Sequence, residues 1–251
     1  MIFFSVKKLQ QLQFFFSLCT KTLKMMKGCR VMDKNITLEI FNKLMSKLPK
    51  YWLGEQSIKF MKYNGCNHWR QMEWAGFYFQ FMCEKILGED NFFEIPGKKY
   101  GNVEFDGFKV INYDFKAHSE FPGSTSKVPT NGYVEVTQAI SEYGTVGFIV
   151  ANGTVVFDSP LQSFKHWHDG FKGNTSEYEI ERIKRGAPSR RRKVSFDLHE
   201  IVFLFVDETT LELTGKFQGG MRNSNGTPRN PKVMIDLNDP RFEKHTYKVV
   251  K

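Results

Sequence analysis

Residues 104–119 read Glu-Phe-Asp-Gly-Phe-Lys-Val-Ile-Asn-Tyr-Asp-Phe-Lys-Ala-His-Ser, and no other stretch constrains the chain as much. The segment Val110–Phe115 is β-branched, aromatic and apolar, as a buried strand requires. Asp106, Asp114 and Lys116 are set into this frame on two adjacent short strands. Strand side chains alternate between faces, so Asp114 and Lys116 share one face while Phe115 turns into the core. Two carboxylates converging beside a lysine can hold a divalent metal against a phosphodiester. Such a metal polarises the phosphoryl oxygen and lowers the pKa of bound water. A surface strand with an Asp–Lys pair on its solvent face would explain the tripeptide alone, but the flanking sequence argues against it.

Upstream, Trp69–Leu87 is a long, proline-free run too rich in aromatics for an exposed helix, and it predicts a buried one. Glu73 lies inside it, close to the face of Phe77, Gln80 and Glu84. A carboxylate among buried aromatics is costly unless it is paired or metal-bound. Downstream, Tyr133–Gly144 predicts an amphipathic helix, and Thr145–Gly153 an apolar strand closed by a turn. From Met32, the sequence Met-Asp-Lys-Asn-Ile-Thr-Leu-Glu-Ile-Phe predicts an amphipathic N-terminal helix.

The order is helix with an acid, strand with Asp106, strand with Asp114-Phe115-Lys116, helix, strand. This order resembles the PD-(D/E)xK nuclease superfamily, in particular the type II restriction endonucleases, over residues 69–158. The resemblance implies an α/β fold: a restriction-endonuclease-like central mixed β-sheet flanked by helices, with a β-rich C-terminal part. By position, Asp106 matches the first acid, Asp114 the second and Lys116 the lysine. Glu73 matches the acid of the first helix, with Glu84 as a rival. The proline of the named pattern is missing, since Glu104 and Phe105 precede Asp106. The resemblance implies Mg²⁺ held by Asp106, Asp114, Glu73 and the backbone carbonyl of Phe115. Lys116 would orient and activate the attacking water or stabilise the phosphorane charge. By strand parity with Lys116, His118 either touches a phosphate or is an incidental strand-end residue. The implied activity is sequence-specific hydrolysis of double-stranded DNA by a homodimer, alongside a DNA methyltransferase acting on the same site. A repair or recombination nuclease of the same superfamily, or a non-enzymatic basic nucleic-acid-binding protein, are the alternatives.

Composition agrees with a polyanionic partner: the 251 residues carry a formal charge of +9. The 25 phenylalanines lie mostly in core-like runs and are read as packing. Cys19, Cys29, Cys66 and Cys83 show no CxxC spacing, which argues against a zinc site and suits a reducing cytoplasm. No apolar run approaches the length of a membrane span. Residues 1–31 are expected to be a poorly packed extension, with natural starts at Met25, Met26 or Met32 as alternatives. Residues 32–251 are expected to form one nuclease domain, with its core at 69–158 and a DNA-contact region at 159–251.

In that second region His166 and His168 flank Trp167. On a strand they would face one side, but no third ligand accompanies them, so a surface or partner contact is expected. The run Arg190-Arg191-Arg192-Lys193 follows a turn and suits either a solvated loop or a phosphate clamp. Glu200–Val206 and Thr209–Gly220 read as strands. The loop before the next strand carries Arg222, Asn223, Asn225, Arg229, Asn230 and Lys232. Arg and Asn pair with guanine and adenine edges in the major groove, although Asn, Gly and Pro are also simply turn formers.

Overall fold

The computed structural model describes residues 34–96, 105–175, 177–217, 220–221 and 227–250. The N-terminal extension and Arg222, Asn223 and Asn225 lie outside the described residues. The fold is α/β, with a curled mixed sheet flanked by helices and a second, small sheet.

The central sheet has six strands in the order β1 (Tyr51–Leu53), β6 (Lys193–Val206), β5 (Val146–Phe157), β3 (Ile111–Glu120), β2 (Gly107–Lys109). The sixth, β9 (Thr246–Val250), pairs with the second half of β6, past the segment that β1 occupies. β3 and β5 run parallel, from Asn112 opposite Val146 to Glu120 opposite Thr154. β6 is antiparallel to β5 and β2 is antiparallel to β3. A parallel pair needs a crossover, and here it is β4 (Lys127–Gly132) followed by helix α4 (Tyr133–Tyr143). β4 does not join the central sheet. It pairs with β8 (Lys232–Asp236), which also pairs with β7 (Gly215–Phe217), forming the small sheet.

β5 is buried on both faces along its first eight residues, which is why it reads as a continuous apolar run rather than an alternating one. Ile149 and Ala151 face an aromatic core. It is filled by α1 (Lys34–Lys47), α2 (Gly54–Tyr63), α3 (Trp74–Leu87) and the start of α5 (Ser163–Lys172). Phe148 and Val150 face a second core, made with α4 and the small sheet. Trp52 anchors the aromatic side. Its ring stacks on Phe196 at 4.5 Å, and its indole N–H donates to the Pro49 carbonyl at 2.7 Å. Among the described residues, no helix is long and apolar enough to cross a membrane.

Several local expectations are corrected. The helix expected from Trp69 begins only at Trp74. Residues Asn67–Arg70 form a separate 3-10 turn, and Glu73 stands just before the helix rather than on its buried face. The strand expected to close at Gly153 continues to Phe157 across a bulge at Asn152/Gly153. Glycine is required there, because a Cβ would lie 2.1 Å from the Asp197 carbonyl oxygen. Thr209–Gly220 is not one strand. Asp207 and Thr210 form a reciprocal capping box that starts the short helix α7 (Glu208–Leu211), and among the described residues of this stretch only Gly215–Phe217 is extended.

The His-Trp-His segment is helical, not extended, so residues two apart point in different directions. His166 is exposed, whereas His168 is fully buried with Nε2 3.2 Å from the Trp69 carbonyl oxygen. Burial, and then the charge of Lys172, lower its pKa to about 4. The helix α6 (Glu177–Lys184) follows, so the polar stretch before β6 is largely helical.

Candidate active site

Asp106 sits in the bend that leads into β2, and its backbone N–H extends the ladder by donating to the Tyr113 carbonyl at 3.0 Å. The β2–β3 turn is a single residue, Val110, at φ 67°. So tight a turn lays Asp106 directly against Phe115, whose backbone N–H donates to Asp106 Oδ2 at 2.8 Å. The other carboxylate oxygen, Oδ1, accepts from Gln80 Nε2 at 2.7 Å, and the same amide donates to Glu84 Oε1 at 2.9 Å. One carboxylate is therefore fixed from both the hairpin and α3.

Phe115 is buried in the aromatic core, and strand alternation puts Asp114 and Lys116 on the opposite face. Asp114 is 3% exposed and forms an ion pair with the Lys116 ammonium. The Lys116 side chain keeps 27% of its exposure, so the trio opens to one side. Burial pushes the Asp106 carboxyl well above the usual carboxylate range, and the nearby Asp114 charge adds to it. Lys116 and the Phe115 N–H oppose that rise without cancelling it. Burial alone would depress the Lys116 ammonium, but Asp114 and Asp106 together outweigh it and the pKa rises. The hairpin thus brings together two carboxylates and one held ammonium.

A second ring of charge comes from the far side. Lys232, at the start of β8, has its pKa lowered by burial and then by the Lys116 charge, against the pull of Asp114 and Glu135. Of the basic residues picked from the sequence, Lys232 is thereby electrostatically coupled to the acids. Glu135, in the first turn of α4, folds back over Gly132, and its buried Oε2 has no hydrogen-bond partner among the described residues. Gln80 and Glu135 were not foreseen. Gln80 had one legible signal, its four-residue spacing from Glu84 on a helix; Glu135 had none.

Glu73 does not join this cluster. It is about half exposed and accepts from Lys193 Nζ at 2.8 Å, seven residues before Gln80 and about 10 Å along the axis at 1.5 Å per residue. The acid of α3 that reaches the site is Glu84, through Gln80. Lys193 is likewise engaged, and its charge, after burial, helps lower the pKa of His118 while Glu120 opposes. Arg190 and Arg191 are exposed, Arg191 with its guanidinium 4.9 Å from the Phe157 ring centre. Arg192 is buried, not part of a solvated loop. Arg229 and Asn230 are exposed in the segment leading to β8.

Among the described residues no group of three or more His, Cys, Asp or Glu is placed to hold a metal. Mg²⁺ does not require one, since it usually takes one or two carboxylates and completes its octahedron with waters and substrate phosphates. Asp106 and Asp114 fit that demand. The pressure that drives one of them toward protonation is what a cation between them relieves. No protein-family model matches the chain, and neither a curated protein nor a solved structure does.

Proposed function

We propose that this protein is a Mg²⁺-dependent endonuclease of the PD-(D/E)xK type, acting on double-stranded DNA. The observation that carries the reading is the meeting of Asp106, Asp114 and Lys116 on one hairpin, with Gln80 clamping Asp106. Asp106 and Asp114 would hold the metal, with the Phe115 carbonyl as a third oxygen donor. The ion would supply charge neutralisation at the scissile phosphate and a water of lowered pKa. Lys116 Nζ, kept protonated by the two acids, orients the attacking oxygen and offsets negative charge on the phosphorus oxygens. Gln80 Nε2 holds Asp106 in one orientation, and Glu84 holds Gln80. Lys232 adds positive potential on the side where the phosphate backbone would lie.

The finer reading is a type II restriction enzyme with a restriction-endonuclease-like fold. It would work as a homodimer on a short sequence that a partner methyltransferase protects. The net charge of +9 supports a nucleic-acid substrate. Arg190, Arg191, Arg229 and Lys232, with Arg222, Asn223 and Asn225, are the proposed DNA contacts. Incubation with several DNAs tests both levels. Discrete Mg²⁺-dependent fragments support site specificity, and a smear supports a non-specific nuclease. Intact DNA at all metal concentrations removes the proposal.

A further inference from the structure

The sheet face that carries Asp114 and Lys116 continues past them. By strand alternation His118 and Glu120 follow on the same face of β3, His118 about 7 Å beyond Lys116 at about 3.3 Å per residue. Glu120 stands opposite Thr154 where the parallel pairing of β3 with β5 ends. That is the C-terminal end of the two strands, the end at which open α/β sheets bind ligands. A cavity of ≈ 410 Å³ opens there, lined among others by His118, Glu120, Phe121, Ser124, Thr154 and Asn238. The hydrolysis proposed above makes no use of it.

The walls of this cavity are held in place. Asn152, 7% exposed, donates through Nδ2 to Glu120 Oε1 at 2.8 Å and to Glu200 Oε1 at 3.0 Å. One neutral amide thus fixes a carboxylate at the cavity wall without cancelling its charge. Phe121-Pro122-Gly123-Ser124 forms a tight turn with Pro and then Gly at its centre, Gly123 at φ 85°. The Ser124 N–H donates to the Phe121 carbonyl at 2.8 Å, and the Phe121 N–H donates to Ser124 Oγ at 3.1 Å. The Leu237 N–H ties the loop to the end of β8 by donating to the Ser126 carbonyl at 3.0 Å. The turn presents Phe121 41% exposed, with the Phe157 ring against it edge-on at 5.2 Å.

These features select among ligands. A phosphate is repelled, because Glu120 and Glu200 put two carboxylates beside one amide. A held carboxylate accepts from N–H groups, the hydroxyls and the Asn238 amide can donate or accept, and an exposed ring stacks on a flat group. A nucleobase with an exocyclic amino group meets all three demands, and the volume lies within the range of small-molecule sites. Two stacked base steps, about 3.4 Å each, span the distance from Lys116. We propose that this cavity receives an unpaired nucleobase close to the scissile phosphate, the base stacking on Phe121 and donating its amino group to Glu120. Such a pocket depends on the nuclease reading, which puts the phosphate at Lys116. It narrows the substrate to DNA in which one base is unpaired or turned out of the duplex.

The test is binding of labelled duplexes to the full chain in EDTA: one fully paired, and four with a single adenine, cytosine, guanine or thymine facing an abasic position. At least one of the amino-bearing bases should bind about tenfold more tightly than the paired duplex and the thymine duplex. Phe121→Ala and Glu120→Gln should each abolish that preference. Both side chains are exposed, and glutamine keeps an acceptor for Asn152, so neither change threatens the fold. Equal binding of all five duplexes, binding of none, a preference for thymine, or a preference that survives either change would overturn the pocket. So would a preference that appears only when Ca²⁺ replaces EDTA, which would make Glu120 a cation ligand. With metal absent, the outcome is separate from cleavage. DNA left uncut with Mg²⁺ while the preference persists removes the hydrolysis and keeps the base pocket; cutting without the preference removes the pocket alone.

Discussion

At the scale of single residues, the Asp114–Lys116 pair is under two demands. Asp114 is buried and Lys116 is the ammonium that neutralises it. Lys116→Met should lower stability by about 2 kcal/mol, less than for a fully buried pair because the lysine is partly solvated. Adding Asp114→Asn should restore much of that loss in urea unfolding, although either change should reduce cleavage by about 10² or more. Glu73 and Glu84 separate on the same assay. Glu73→Gln should cut DNA as the wild type does, while Gln80→Ala and Glu84→Gln should slow it, since only the latter pair touches the hold on Asp106. His168 carries a pH prediction. The unfolded chain takes up its proton near 6.5 and the folded chain only near 4, first because burial disfavours the charged ring. Lys172 and Arg192 also oppose the charge, while the Trp69 carbonyl and Asp169 favour it. Stability is therefore full above pH 6.5 and falls as pH drops toward 4, by about 3 kcal/mol in all. His168→Gln should flatten that slope in unfolding measured across the window.

At the scale of elements, strand alternation gave the right faces to Asp114, Phe115 and Lys116, because one buried face fixes the register of a strand. The amphipathic helix at Tyr133–Tyr143 was legible for the same kind of reason. What the sequence concealed was where each element stops. Glu73 looked helical because aromatic residues surround it, yet the helix starts one residue later and leaves it beside Lys193. The pairing of β4 with β8 was not visible either, since contacts between strands a hundred residues apart leave no local period. Two backbone positions test the hairpin and the bulge. Val110 is β-branched in the left-handed region, so Val110→Gly should raise stability by about 1 kcal/mol in thermal unfolding. Gly153→Ala should lower it by about 3 kcal/mol, since the new methyl group meets the Asp197 carbonyl.

At the scale of the molecule, one sheet carries two cores of different character. The aromatic core on one face locks α3 and hence Gln80 in place. The aliphatic core on the other brings α4 and the small sheet, with Glu135 and Lys232, toward the acids. The site is thus assembled from both sides of the fold, and only the hairpin part of it could be read from neighbouring residues in the sequence. The most direct measurement is of supercoiled plasmid incubated with the wild type and with Asp114→Asn, each with Mg²⁺ and with EDTA. The account predicts conversion to linear or fragmented DNA by the wild type with Mg²⁺ alone, and retained DNA binding without cutting by the variant. Cutting by Asp114→Asn at the wild-type rate, or an intact plasmid in every lane, would contradict it.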